Sequence, residues 1–352
     1  MQNIHYIQNT LPHRTAALIE CPLNRRHLTG FVSSYGSLLV TRDAAVLLTD
    51  SRYIEAAQAA VTACTVEEVK AGQLHALCKA HSVKTLWMES STTLERVRQL
   101  RTALPGVYIK PWAAVLDSKL KQLREVKSAD EMKKIRAAQR IAESAFAQVL
   151  PTITLGMTER EVALALDFAM LRGGAKRTAF DTIVAAGVNG AKPHAVPGDY
   201  ALQRGDLITM DFGAVVDGWH SDMTRTVALG EPTAQTREIY EIVLQAQETA
   251  LAAIAPGVPC KEVDTAARKV IKMAGYAEYF RHGTGHGVGL AIHEEPRLSG
   301  KSCDVLRPGM MVTIEPGIYL PGVCGVRIED LVWVTEDGYV NLTACRKDLV
   351  IL

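Results

Sequence analysis

The sequence predicts an α+β protein built in two parts, and two observations carry that expectation. Up to about residue 117, short apolar runs alternate with amphipathic segments, the pattern of a small α/β domain. From about residue 125 onward, helical segments stand apart from several antiparallel strands, which argues against a doubly wound sheet. A third observation bears on chemistry. Asp211, Asp222, His286, Glu315 and Glu329 each lie in a stretch that reads as strand or strand edge. Four carboxylates and one imidazole can hold two divalent cations side by side, and such a pair generates a hydroxide nucleophile at neutral pH.

Composition narrows the function classes. The chain has 352 residues, 48% of them apolar and 22% charged, as in an ordinary soluble globular protein. A formal net charge of +1 gives no field that would favour nucleic acid or an anionic membrane surface. The seven cysteines are odd in number, scattered and never in C-x-x-C spacing, so neither a thiolate zinc site nor a disulfide framework is expected. MQNIHYIQNTLPHRT lacks the basic and apolar regions of a signal peptide, and no run of about 18 apolar residues occurs. The expectation is a cytoplasmic protein without a membrane span.

In the first part, Gly36 to Leu39 and Ala44 to Leu48 are apolar runs split by Thr41-Arg42-Asp43, a hairpin-like pair. Asp50 or Ser51 is the expected cap of a helix entering Ile54-Glu55-Ala56-Ala57. Leu74 to His81 reads as helix, Thr85 to Met88 as strand, and Leu94 to Leu104 as helix ended by Pro105-Gly106. The expected N-terminal domain is therefore 1–117, with a linker near 117–127 and a second domain over 125–352. Ser128-Ala129-Asp130-Glu131 and Thr158-Glu159-Arg160-Glu161 are capping boxes that open helices running to about Leu150 and to Gly173-Gly174. Phe180 to Ala186 and Leu207 to Val216 read as extended, Arg237 to Ile254 and Cys260 to Met273 as helical.

Turn chemistry brings two of the five residues together. Asp217-Gly218 between apolar residues is a strong hairpin signal. A two-residue loop sets Val216 opposite Trp219 and Gly213 opposite Asp222, so Asp211 shares a face with Asp222 at roughly 7–8 Å. Period-two alternation through Val326 to Val332 puts Arg327 and Glu329 on one face, and Glu315 ends the strand Met310 to Ile314 before Pro316-Gly317.

The glycine-rich stretch around His286 needs its own test. The run from His282 to Gly289 lacks glycines at the first, third and sixth positions of a dinucleotide loop, and no phosphate-loop lysine is present. Its glycines are read as room for close backbone approach to a metal or substrate, and Val288 to His293 as extended. His194 and His293 stand out in loops, and His220 shares Asp222's face by alternation. There is no Gly-x-Ser-x-Gly elbow and no cysteine in an activating context.

These residues, in this order, resemble the metallopeptidases of the pita-bread fold, which include methionine aminopeptidases, Xaa-Pro aminopeptidases and Xaa-Pro dipeptidases (prolidases). The matching segments are MDFGAVVDGWHSDMTRT, HGTGHGVGLAIHEEP, VTIEPGIYLPG and GVRIED. NRRHLTGF and LTDSRY resemble the small creatinase-like domain that precedes the catalytic one in prolidases and Xaa-Pro aminopeptidases. The resemblance implies two divalent metal ions, manganese first with cobalt or zinc as alternatives. It makes Asp222 and Glu329 the bridging carboxylates, with Asp211 completing one metal's shell and His286 and Glu315 the other's. Glu315 would move the proton, His293 would stabilise the oxyanion, His194 would contact substrate, and Arg327 would orient a ligand carboxylate. Arg327 and the extra domain favour the proline-directed branches, whose substrates are proline-containing peptides. The expectation leans to an Xaa-Pro aminopeptidase, with a dipeptidase as the alternative. Methionine aminopeptidase-like activity and a non-catalytic binding protein on the same fold are further readings. A homodimer is implied by analogy alone.

Overall fold

The computed structural model describes residues 2–352, and the chain divides into two compact units that meet at Arg124/Glu125. The first is a six-stranded mixed sheet in the order β4-β3-β2-β1-β5-β6. Its strands are β1 (Thr15–Ile19), β2 (Ser37–Val40), β3 (Ala45–Thr49), β4 (Thr65–Glu68), β5 (Thr85–Met88) and β6 (Tyr108–Lys110). Six helices accompany them: α1 (Gln2–Gln8), α2 (Pro22–Thr29), α3 (Ile54–Ala60), α4 (Gln73–Ala80), α5 (Leu94–Ala103) and α6 (Ala114–Glu125). In β1, Ala17 and Ile19 join one apolar cluster while Ala16 and Leu18 join another, so both sheet faces are covered. Two local expectations change. Neither Asp50 nor Ser51 caps α3 with its side chain; the Asp50 carboxylate instead accepts from the Arg52 backbone and guanidinium. Most of the expected 117–127 linker is helical, inside α6.

The second unit opens with α7 (Ala129–Val149) and α8 (Glu159–Arg172), and both capping boxes are complete. Their apolar faces cover the antiparallel sheet β12-β9-β8, formed by β8 (Ile183–Ala186), β9 (Leu207–Phe212) and β12 (Met223–Ala228). Phe146, Leu166, Met170, Met210 and Phe212 fill that layer. A short sheet in the order β11-β10-β7 joins β7 (Arg177–Thr178), β10 (Ala214–Val216) and β11 (Trp219–His220).

A second layer repeats the plan. Helices α9 (Ala234–Ala252) and α10 (Cys260–Met273) pack on a five-stranded sheet, β14-β13-β15-β18-β19. Its strands are β13 (Gly285–Gly287), β14 (Glu294–Leu298), β15 (Met311–Ile314), β18 (Asp330–Val334) and β19 (Tyr339–Asn341). The hairpin β16 (Gly317–Leu320) and β17 (Cys324–Arg327) completes it. Ile239, Val243, Val263, Ile271, Val312 and Val332 share one buried cluster. Two helix-backed antiparallel layers make this α+β unit. Val288 to His293, expected to be extended, is a bent loop. Among the described residues no helix is long and apolar enough to cross a membrane.

Candidate metal centre

The first two carboxylates are placed by a turn. Asp217 (φ 45°) and Gly218 (φ 71°) both adopt left-handed backbone, as a type I′ loop requires. Val216 pairs with Trp219, and the same register continues to Phe212↔Met223 and Asp211↔Thr224. Asp211 and Asp222 are therefore diagonal neighbours. Gly213 is obligatory here, because a Cβ would collide with the Ser221 carbonyl.

Three further groups come from the second layer. His286 lies in β13, Glu315 directly follows β15, and Glu329 sits in the break between β17 and β18. The expected continuous strand from Val326 to Val332 is interrupted at Ile328-Glu329, yet Arg327 and Glu329 both reach Thr224. The glycines around His286 serve neighbouring strands rather than a ligand. A Cβ on Gly285 would meet the Thr313 carbonyl, and one on Gly287 the Glu295 carbonyl.

One atom from each of Asp222, His286 and Glu329 falls within 4.8 Å of the others. The His286 Nε2 atom is 3.3 Å from Glu315 Oε1 and 3.6 Å from Asp222 Oδ2. Its Nδ1 lies 3.0 Å from the Gly287 carbonyl, which can only accept, so Nδ1 carries the proton and Nε2 presents a lone pair. Burial pushes His286 down to about 3, which keeps the ring neutral. Lone pairs thus converge on one another. Burial, then Glu329 and Asp211, hold Asp222 well above the usual carboxylate range. Glu329 is raised likewise, by burial and then by Glu315 and Asp211. Burial pushes Glu315 up to about 8, against the pull of Arg327.

The donor set fits divalent cations. Asp211 Oδ1 and Glu329 Oε1 are buried without a hydrogen-bond partner, a costly arrangement unless a cation meets them. Hard oxygen donors with one imidazole are the ligands such ions take.

Around the acids runs a buried scaffold. Arg327 donates to Asp211 Oδ2 at 2.7 Å, Tyr319 Oη at 2.8 Å and Thr224 Oγ1 at 3.1 Å. Burial alone would lower its pKa, but Tyr319 and Asp211 hold it above its ordinary value. Thr224 Oγ1 in turn donates to Glu329 at 2.7 Å, and Thr313 Oγ1 donates to Glu315 at 3.2 Å. His282 binds the Gly283 carbonyl through Nδ1 and accepts from Tyr319 through Nε2, at 2.8 Å each, and burial lowers it to about 4. Sequence reasoning did not single out Thr224, Thr313, Tyr319 or His282. The hairpin register already offered Thr224, directly opposite Asp211.

A cavity of about 680 Å³ opens onto these groups and is lined also by His194, His293 and Arg297. The His293 ring stands edge-on to His286, centroids 4.4 Å apart. His220 takes a different place. It binds the Gly289 carbonyl and Arg177, each at 3.0 Å, and does not line the cavity. Arg281 is engaged by the Glu278 carbonyl and also lies off the lining.

Residues 133–336 match the description Metallopeptidase family M24. The chain belongs to that family. Residues 14–126 match the creatinase/prolidase N-terminal domain, so the chain consists of a creatinase-like α/β domain followed in sequence by a pita-bread catalytic domain. This M24 metallopeptidase is 40% identical over 315 residues to an Xaa-Pro dipeptidase of Pyrococcus furiosus, covering 90% of this chain and 89% of that one. It superposes on an Xaa-Pro dipeptidase from Bacillus anthracis with TM-score 0.96 and 36% identity, covering 100% and 99% of the two chains. An X-Pro aminopeptidase from Thermotoga maritima gives TM-score 0.89 at 36% identity, covering 96% and 97%. Membership makes the chain a hydrolase that uses divalent metal ions.

Proposed function

We propose that this M24 metallopeptidase is an Xaa-Pro dipeptidase. The observation that carries the reading is Arg297. Its side chain lines the cavity, and its guanidinium has no hydrogen-bond or ion-pair partner among the described residues. A dipeptide presents the proline carboxylate next to the scissile bond, and a free guanidinium at the rim is the group that would take it. A longer peptide presents a neutral amide there. The relatives named Xaa-Pro dipeptidase point the same way, and together they move the preference from the aminopeptidase to the dipeptidase.

Asp211, Asp222, His286, Glu315 and Glu329 would hold two divalent ions, manganese first. When bound, these ions supply the positive charge that the acid cluster lacks and make water acidic enough to ionise near neutral pH. Glu315 accepts the proton that water loses as it attacks the scissile carbonyl carbon. The carbon–nitrogen bond then breaks, and the same proton passes to the departing proline nitrogen. His293 donates to the carbonyl oxygen as negative charge grows on it, and His194 holds the substrate from the opposite loop. Arg327 keeps Asp211 in place through their 2.7 Å contact.

The test is side-by-side hydrolysis of Xaa-Pro and Xaa-Pro-Yaa by enzyme stripped of metal and then given manganese. The dipeptide should be cleaved only with metal, and Arg297→Met should raise its KM about tenfold or more. Cleavage of the tripeptide at an equal rate, insensitive to Arg297→Met, would restore the aminopeptidase reading.

A further inference from the structure

The cavity histidine His194 sits near the middle of a loop running from Gly187 to Gly198 between β8 and β9. Loops of this length usually owe their shape to packing of their own side chains, but this one surrounds few. Val188 and Val196 are both exposed, Val196 at 86%. Its shape comes instead from outside. The Glu159 side chain, only 1% exposed, reaches from the first turn of α8 into the loop. One carboxylate oxygen accepts from the Ala186 backbone at 2.8 Å and the Asn189 side-chain amide at 3.2 Å. The other accepts from the Gly198 backbone at 3.1 Å. The two ends of the loop and a point within it therefore converge on one buried carboxylate.

No cation explains that burial. Among the described residues Glu159 has no ion-pair partner, and its charge is met by N–H donors alone. Capping does not explain it either. The helix start is already closed by Thr158 and the exposed Glu161, whose reciprocal bonds form the capping box. The first-turn N–H groups of α8 add to the loop's hold, Glu159 N donating to the Tyr200 carbonyl at 3.1 Å and Arg160 N to the Gly198 carbonyl at 3.1 Å. On the far side, Gly190 lies against the backbone of Gly325, so closely that neither position accepts a Cβ. Arg327 Nη1 reaches the Pro193 carbonyl at 3.4 Å, one residue before His194. The imidazole of His194 itself has no hydrogen-bond partner among the described residues.

We infer that Glu159 is a positioning residue, whose buried carboxylate gathers the 187–198 loop so that His194 faces the cavity. It touches no substrate and no ligand of the metal centre; it acts through His194. The inference rests on the reading of His194 as a substrate-contacting group.

The experiment combines Glu159→Gln with His194→Ala in the metal-loaded full-length enzyme. In Glu159→Gln one oxygen becomes an N–H₂ that faces N–H donors, so at least one bond is lost and the loop loosens. Hydrogen exchange across 186–198 should quicken in that variant while α9 and α10 exchange as in wild type. kcat/KM on an Xaa-Pro dipeptide should fall about 10- to 100-fold, with bound metal unchanged. In the His194→Ala background the same substitution should cost almost nothing more. Glu161→Ala, which weakens the cap alone, should lower Tm and leave kcat/KM at the wild-type value. Losses that multiply, or unchanged exchange across 186–198, would overturn the inference. Should Glu159→Gln fail to fold, Asn189→Ala removes one donor and leaves the carboxylate in place. It should show the same exchange pattern with a loss of a few fold, and unchanged exchange there would equally overturn the inference. An enzyme that cleaves no Xaa-Pro peptide at all would refute the dipeptidase reading, while the exchange comparison would still decide whether Glu159 holds the loop.

Discussion

Glu329 and Asp330 are adjacent, both are buried, and the fold treats them in opposite ways. Asp330 points to a side where the protein supplies its countercharge: Arg225 at 2.8 Å and Lys347 at 3.0 Å, with Gln247 at 2.9 Å and Asn341 at 2.8 Å. Although burial pushes it up, Arg225 and Lys347 hold Asp330 below the usual carboxylate range. Glu329 points the other way, among Asp211, Asp222 and Glu315, and its pKa rises. A buried acid whose partners come from the chain is structural. A buried acid surrounded by other acids is prepared for something the chain does not contain. The difference separates a candidate metal centre from an ion-pair network more clearly than burial does, since both residues are almost fully buried.

The largest effects should break that contrast in two separate readouts. Glu315→Gln should lower kcat by about 10²–10⁴-fold, the usual worth of a group that moves a proton, with Tm in chelator unchanged or higher because one crowded carboxylate is gone. Asp330→Asn should do the reverse. It leaves Arg225 and Lys347 facing a neutral amide and should cost about 3–5 kcal/mol in urea unfolding, while bound metal per chain stays at the wild-type value. Metal loss in the second variant, or a large stability loss in the first, would erase the distinction.

pH sharpens it. In the metal-free protein, Glu315 at about 8 and the raised Asp222 and Glu329 bind protons that the unfolded chain has released. The contribution of Glu315 is full below the ordinary carboxylate pKa and is lost as pH rises toward 8, and Asp222 and Glu329 act in the same direction. His286, at about 3, acts in the opposite sense. Its contribution is present above the ordinary histidine pKa and is lost as pH falls from there toward 3. His282 and His293, also lowered by burial, act with His286 and offset the three carboxylates below the ordinary histidine pKa, so stability in chelator should fall chiefly between about pH 6.5 and 8. Saturating manganese should oppose that fall, adding about 2.7 kcal/mol at a hundredfold excess over Kd. Asp330 contributes oppositely, losing its share only as pH drops through its lowered pKa. A flat profile in chelator from about pH 6.5 to 8 would contradict the raised pKa values.

Much of the centre was legible because short-range rules govern it. Asp217-Gly218 fixes a register, and that register fixes Asp211 against Asp222. The capping boxes likewise set where α7 and α8 begin. What the sequence hid depends on partners far along the chain. β1 is buried at every position, so it has no alternation to betray it. Arg225 meets Asp330 across about a hundred residues, and nothing local distinguishes that acid from Glu329 beside it. The glycines near His286 looked like accommodation of a ligand because their real neighbours, the Thr313 and Glu295 carbonyls, lie on other strands.

A smaller test concerns the one hydroxyl serving the acid cluster from β12. Thr224 Oγ1 donates to Glu329 and accepts from Arg327, so Thr224→Val uncouples the two. Metal affinity should fall about 10- to 100-fold, as when outer partners of ligand carboxylates are removed. Isothermal titration with manganese would measure it, and an unchanged Kd would mean that Arg327 orients Asp211 without help.

The smallest effect should come from Asn341→Ala on the opposite side. Asp330 there keeps Arg225, Lys347 and Gln247 and loses one neutral donor, while the Thr343 backbone N–H loses the Asn341 oxygen it donates to. The cost of the two lost bonds should be about 1–2 kcal/mol, with kcat, KM and metal content unchanged. Redundancy makes that outcome informative: a carboxylate with two cations tolerates losing an amide, whereas Glu329 has a single hydroxyl donor and an unsatisfied second oxygen. If Asn341→Ala instead lowered kcat, the two networks would be coupled through the Glu329-Asp330 backbone, and the separation between scaffold and metal centre would fail at the peptide bond that joins them.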